Sequence, residues 1–282
     1  MKKILVPTDF SKASINAVEV AYDIAKRSGA AITLLHVIEE AGTDSYSVAG
    51  QGKPSNMEAT RFMVELIKKS KKQLEKLVMD PRFSDIRIEG ELRVGNAFHG
   101  MRTIITDHKV DLVVMGTRGQ TKLEALVIGS NTERVVRQMR CPVLSVHNKP
   151  AKLDFKNIVY ATAMSKDEEV FSRIVKRTQQ LYNSTIHLLR VNTPGDFQRD
   201  KVVKDYMEKF AKKLGLKNFT VNVYNDLTTE EGIVYFADSI NADLVCMATH
   251  GRTGFAHVMA GSIAEDVVGQ SKRPVLTFVV KH

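Results

Sequence analysis

A chain of 282 residues with a formal net charge of +9, 43% hydrophobic residues and two cysteines is most simply two domains of about 140 residues, each able to bury its own core. No stretch approaches the roughly 20 apolar residues that cross a bilayer, and Pro7 cuts Met1-Lys-Lys-Ile-Leu-Val6 off too early for a signal peptide, so no membrane partner is expected. The basic cluster Lys68, Lys69, Lys71, Lys72 and Lys76 shares a helical pattern with Leu66, Leu74 and Leu77, which makes it a solvated helix face, and without interleaved aromatics it does not point to nucleic acid.

In chain order, Ile4 to Thr8 reads as a short buried strand, and Ser11 is placed to cap a helix that runs to about Arg27 and ends at Gly29. Ala31 to Val37 is a second strand. Glu40 to Ser55, rich in Gly, Ser and Thr, reads as a long loop, and an amphipathic helix follows from about Met57 to Met79. A strand around Ile86 to Val94, a helix around Ala97 to His108 and a strand from Leu112 to Met115 lead into a glycine loop. A helix from Ser130 and a strand from Val143 to Val146 complete the half. The second half repeats the order: Ile158 to Thr162 is its first strand, Ser165 to Tyr182 its first helix and Ile186 to Val191 its second strand. Strands alternating with helices imply an α/β fold of two Rossmann-like domains, 1–148 and 153–282, each a parallel sheet flanked by helices. The polar segment from Asn148 to Lys152 is the boundary.

The repeat is most explicit at the glycine loop. Asp111-Leu-Val-Val-Met-Gly-Thr-Arg-Gly119, nine residues and Gly129-Ser130 are echoed by Asp243-Leu-Val-Cys-Met-Ala-Thr-His-Gly251, nine residues and Gly261-Ser262. Gly116 and Gly119 permit a tight turn with no Cβ facing a phosphate. Gly129-Ser130 opens a helix whose unpaired N–H groups and positive dipole end favour an anion. Ser130 offers a hydroxyl, Asn131 a backbone N–H, and Arg118 a partner for a terminal phosphate. Asp9, following Pro7 and Thr8 at the tip of the first strand, suits a base amino group or a ribose hydroxyl. The backbone of Val37 can edge a planar base, and Met115 precedes the loop as a packing residue. The competing explanation for Ser130 is a capping box with Glu133, a pattern shared by Ser262 with Glu265 and by Ser165 with Glu168.

Val6-Pro-Thr-Asp-Phe-Ser11 together with the spaced glycines resembles the universal stress protein family, in its ATP-binding branch, over nearly the whole chain. The resemblance implies five parallel strands per domain, adenine near Asp9 and Val37, ribose near Gly116, and phosphates over Gly119, Gly129 and Ser130. It further implies pairing of domains through their last strands, achievable within a tandem chain, and a homodimer. The expected ligand is ATP, with ADP or AMP as alternatives and Mg2+ held through the phosphates. The expected role is that of a cytoplasmic stress-response regulator.

The second copy departs from this pattern. Ala163 stands at the place of Asp9 and Ala248 at that of Gly116, so a carboxylate is lost and a methyl crowds the ribose. Gly251, Gly261 and Ser262 remain as a weaker anion cradle, and little or no ATP binding is expected there. His250, His257 and Cys246 lack a close ligand spacing, so no metal is expected, and Cys141 and Cys246 are read as reduced core thiols rather than a disulfide. His36 is read as a packed or edge histidine. No Walker A lysine motif and no paired carboxylates for magnesium accompany either loop, so enzymatic activity is at most slow ATP hydrolysis. The remaining alternative is an interaction module that does not depend on nucleotide.

Overall fold

The computed structural model describes residues 1–39, 56–117, 129–150, 153–250 and 258–280. The expected Glu40 to Ser55 loop therefore lies outside the described residues, as do Arg118, Gly119, Gly251, His257, Ala151 and Lys152. The amino-terminal half comprises β1 (Lys3–Pro7), α1 (Lys12–Ser28), β2 (Ala31–Ile38), α2 (Asn56–Val78), β3 (Ile88–Val94), α3 (Ala97–Asp107), β4 (Leu112–Gly116), α4 (Ser130–Gln138) and β5 (Val143–Val146). The second half repeats it as β6 (Asn157–Ala161), α5 (Glu169–Tyr182), β7 (Thr185–Asn192), α6 (Asp200–Leu214), β8 (Phe219–Asn225), α7 (Thr229–Ser239), β9 (Leu244–His250), α8 (Val258–Gln270) and β10 (Val275–Val280).

The sheet order is β3-β2-β1-β4-β5-β10-β9-β6-β7-β8. Every neighbouring pair is parallel except β5 and β10, which run antiparallel with Leu144 opposite Leu276. Two five-stranded sheets thus fuse through their last strands into one, and their carboxyl ends face opposite edges. Strand order reverses at β1, between β2 and β4, and again at β6, between β7 and β9. Loops leaving the strands on either side of such a reversal part company and open a crevice.

The alternation of the strands splits the core into two layers. Ile4 and Val6 face the helices α1 and α2, whereas Leu5, Val113 and Met115 pack with Met101 and Ile104 of α3 and with Val135 and Val136 of α4. Each layer runs across both halves, joining Val114 to Cys246 on one face and Val143 to Val275 on the other. Across the junction, Arg137 of α4 donates to both carboxylate oxygens of Glu265 in α8, at 2.5 Å each. Tyr182 lies under the Arg27 guanidinium, 4.9 Å from ring centre to Cζ, and donates its hydroxyl to Asp23 at 3.2 Å.

Local chemistry sets the element ends. Ser11, in extended backbone, accepts from the N–H of Ser14, and Gly29 ends α1 in the left-handed region at φ 70°. The expected helix from Ser165 to Tyr182 divides instead into a 3₁₀ turn, Lys166–Glu168, and α5. The expected capping box at Ser130 is not formed: Gly129 is the residue before α4, without a side-chain cap, and Ser130 is the first helical residue. At Ser262 the pattern fails differently, because α8 already starts at Val258 and places Gly261 and Ser262 inside the helix. Among the described residues no helix is long and apolar enough to cross a membrane.

Candidate functional site

At the reversal beside β1 lies a cleft of about 640 Å³. Its walls come from the tip of β1 (Pro7, Thr8, Asp9), the end of β2 (Val37), the end of β4 (Met115, Gly116) and the start of α4 (Gly129, Ser130, Asn131). Nine residues singled out from sequence, separated by up to 124 positions between Pro7 and Asn131, therefore meet in one place.

The β1–α1 turn is built by its own side chains. Thr8 Oγ1 accepts from the N–H of Phe10 at 3.1 Å, and Asp9 Oδ1 accepts from the N–H of Ser11 at 3.0 Å. These bonds hold Phe10 at φ 62°, a conformation that costs a non-glycine residue energy and turns Asp9 to the cleft rim. Ser14 Oγ donates to the Ser11 carbonyl and lies 3.1 Å from Thr8 Oγ1, closing the floor with hydroxyls. His36 is packed, as expected, with its ring centre 4.5 Å from that of Phe10. Because a carbonyl only accepts, the His36 Nδ1 that lies 2.7 Å from Thr8 O carries the proton there.

On the opposite side, Gly129 N–H donates to Thr117 O at 2.9 Å and Thr132 Oγ1 donates to Gly116 O at 3.0 Å, pinning the start of α4 to the end of β4. The first intrahelical bond at this end is Glu133 N–H to Gly129 O. The N–H groups of Ser130, Asn131 and Thr132 precede it, with the positive end of the helix dipole behind them, an arrangement that favours negative charge.

Gly116 needs a different explanation from the one its sequence suggests. Its φ is not positive, and an added Cβ would lie 2.7 Å from the carbonyl carbon and 2.8 Å from the carbonyl oxygen of Ala13. Gly116 therefore lets the first turn of α1 pack directly on β4. The second half carries that methyl as Ala248, and there the matching turn is the 3₁₀ segment before α5. The crowding is against the helix, not only against a sugar.

Sequence reasoning missed the α2 wall of the cleft, where Leu66, Lys69, Ser70 and Gln73 line it. The lysine cluster was visible, but its periodicity was compatible with a solvated face, and only the packing of Leu74 and Leu77 fixes which lysine turns to the cleft. Exposed Lys69 brings a cation to this wall.

The corresponding cleft of the second half measures about 160 Å³, lined by Ala163, Glu168, Arg190, Met247 and Ala248 among others. Gly261 and Ser262 lie in α8. Cys141 and Cys246 are both free and buried; burial pushes the Cys141 thiol up to about 12 and raises Cys246 as well. Among the described residues no group of three or more His, Cys, Asp or Glu is placed to hold a metal.

A doubly wound parallel sheet with a cleft at its switch point defines a Rossmann-like α/β protein, here in tandem. The universal stress protein family model matches residues 1–147 and again 154–279, and the chain belongs to that family. A universal stress protein of Methanocaldococcus jannaschii is 32% identical over 151 residues, covering 54% of this chain and 84% of that protein. A universal stress protein of Synechocystis sp. is 24% identical over 290 residues and matches end to end, covering 99% of this chain and 100% of its own length. The crystal structure of a universal stress protein from Archaeoglobus fulgidus superposes with a TM-score of 0.77 at 20% identity, over 98% of each chain.

Proposed function

We propose that the first domain binds one adenine nucleotide, ATP foremost, and that the chain acts as a cytoplasmic stress-response regulator whose state follows that occupancy. The observation that carries this reading is the 640 Å³ cleft, which joins an acceptor at Asp9, a backbone edge at Val37 and an open helix start at Gly129. Its volume falls in the range of about 300–1,000 Å³ usual for small-molecule sites, whereas 160 Å³ in the second half falls below it.

Roles follow from position. Asp9 takes a ribose hydroxyl or base amino group, Val37 borders the base, and the N–H groups of Ser130 and Asn131 receive phosphate, with the Ser130 hydroxyl free of any capping duty. Lys69 supplies a counter-charge from α2. Arg118 and Gly119 complete the phosphate end in this reading, with Mg2+ carried by the phosphates themselves. The two domains, 1–148 and 153–282, then differ in duty: the first binds, and the second pairs with it through β5 and β10. Self-association into a homodimer belongs to the same proposal.

Mass spectrometry of denatured extracts from protein purified without added nucleotide tests it. An adenine nucleotide at about one per chain is the expected result. Protein that is nucleotide-free and stays so at millimolar ATP contradicts the proposal.

A further inference from the structure

The second domain has not simply lost a carboxylate; it has moved one. The β1–α1 and β6–α5 turns correspond residue for residue at an offset of 154 from Thr8 to Ser11. Thr8 N–H and Thr162 N–H donate to Leu35 O and Leu189 O, and Phe10 and Met164 both take positive φ, 62° and 58°. Within this shared frame the place of Asp9 holds Ala163, and the place of Ser14 holds Glu168.

Glu168 is 1% exposed and faces the turn from inside. Its Oε1 accepts from the N–H of Ala163 at 3.0 Å and that of Ser165 at 3.3 Å, and its Oε2 from the hydroxyls of Thr162 at 2.6 Å and Tyr160 at 2.9 Å. The Ser165 bond is the counterpart of the one Asp9 makes to Ser11. The Ser165 hydroxyl also lies 3.5 Å from Oε1, so both oxygens are engaged by donors of the turn and its strand. Burial, and secondarily Glu168, hold the Tyr160 hydroxyl well above its usual pKa, which keeps it a donor.

The geometry points to Glu168 as the specificity-determining residue that closes the second cleft to nucleotides. It takes the turn's donors and fills the floor where the first half has a serine hydroxyl, at the base and ribose end of the cleft. Arg190, which also lines the cleft, is held by its Nη2 on Asp196 and keeps a buried Nε without a hydrogen-bond partner among the described residues. Ala163 and Ala248 are then accompaniments: restoring Asp at 163 alone would set two carboxylates in competition for the Ser165 N–H.

This inference rests on nucleotide binding by the first cleft, so the wild-type chain is titrated with ATP first; absence of binding there defeats that proposal and not this one. The first cleft is next disabled by Asp9→Ala with Gly129→Val. In that background, Ala163→Asp with Ala248→Gly is expected to bind ATP weakly, and adding Glu168→Ser is expected to tighten binding at least about tenfold. Equal binding with and without Glu168, or none in the folded triple variant, overturns the inference. If the triple variant does not melt cooperatively, the reciprocal change decides. Ser14→Glu in the otherwise native chain should weaken ATP binding at least about tenfold, and a folded Ser14→Glu chain that binds like wild type overturns the inference.

Discussion

Asp9 and Gly116 serve the same cleft by different physics, and their substitutions should separate accordingly. Asp9→Ala removes an acceptor at the rim, whose carboxylate also takes the Ser11 N–H of the turn. Calorimetric titration should show ATP affinity reduced at least about tenfold, the loss of a charge-assisted hydrogen bond. Ser262→Ala, inside α8, should leave the titration unchanged. Gly116→Ala inserts a methyl 2.7 Å from the Ala13 backbone, which can yield only by moving the start of α1. Overpacking of this kind costs about 1–3 kcal/mol, so the denaturation midpoint should fall even without ligand. The cysteines form a third residue-scale case. With Cys141 pushed up to about 12 and Cys246 also raised by burial, neither is a thiolate at pH 8. A colourimetric thiol reagent should label neither in the native chain and both after unfolding.

Among elements, α4 is the one that touches both the cleft and the neighbouring domain. Its start, Ser130, lines the cleft, while Arg137 near its end clasps Glu265 with both partners largely buried. Arg137→Ala should destabilise the chain by about 1–3 kcal/mol. A double-mutant cycle with Glu265→Ala should recover a coupling energy of at least about 0.5 kcal/mol, since the two side chains touch. Additive effects would mean that the contact carries no net stability. Most element positions were legible in the sequence, because hydrophobic period, Ser11 and Gly29 speak locally. What was not legible depends on tertiary contacts. The capping-box pattern at Ser130, Ser165 and Ser262 is the same string of residue types in three settings, yet the helices begin at Ser130, Glu169 and Val258, and at Ser165 the glutamate does reach back to the serine N–H. Ala248 helps to explain the second of these, since a methyl against the turn disfavours the α-helical start found at Lys12. Likewise the sequence displayed the loss of Asp9 in the repeat, but not that Glu168 had taken over its hydrogen bond from five residues away.

For the whole molecule, the antiparallel join of β5 to β10 makes one ten-stranded sheet from two domains and buries their last strands at its centre. Amides of Leu144 and Leu276 should therefore exchange among the slowest in the chain, while those of the outermost strands β3 and β8 exchange faster. Early exchange at the junction would mean that the halves part readily. The join also sets the two clefts at opposite edges, so that one duplicated fold presents an open cleft on one side and a carboxylate-filled one on the other. That asymmetry is the centre of the account, and calorimetric titration of the native chain with ATP tests it most directly. One saturable site per chain, weakened at least about tenfold by Asp9→Ala and untouched by Ser262→Ala, is the expected outcome. Two equivalent sites, or binding that survives Asp9→Ala at full strength, would contradict it.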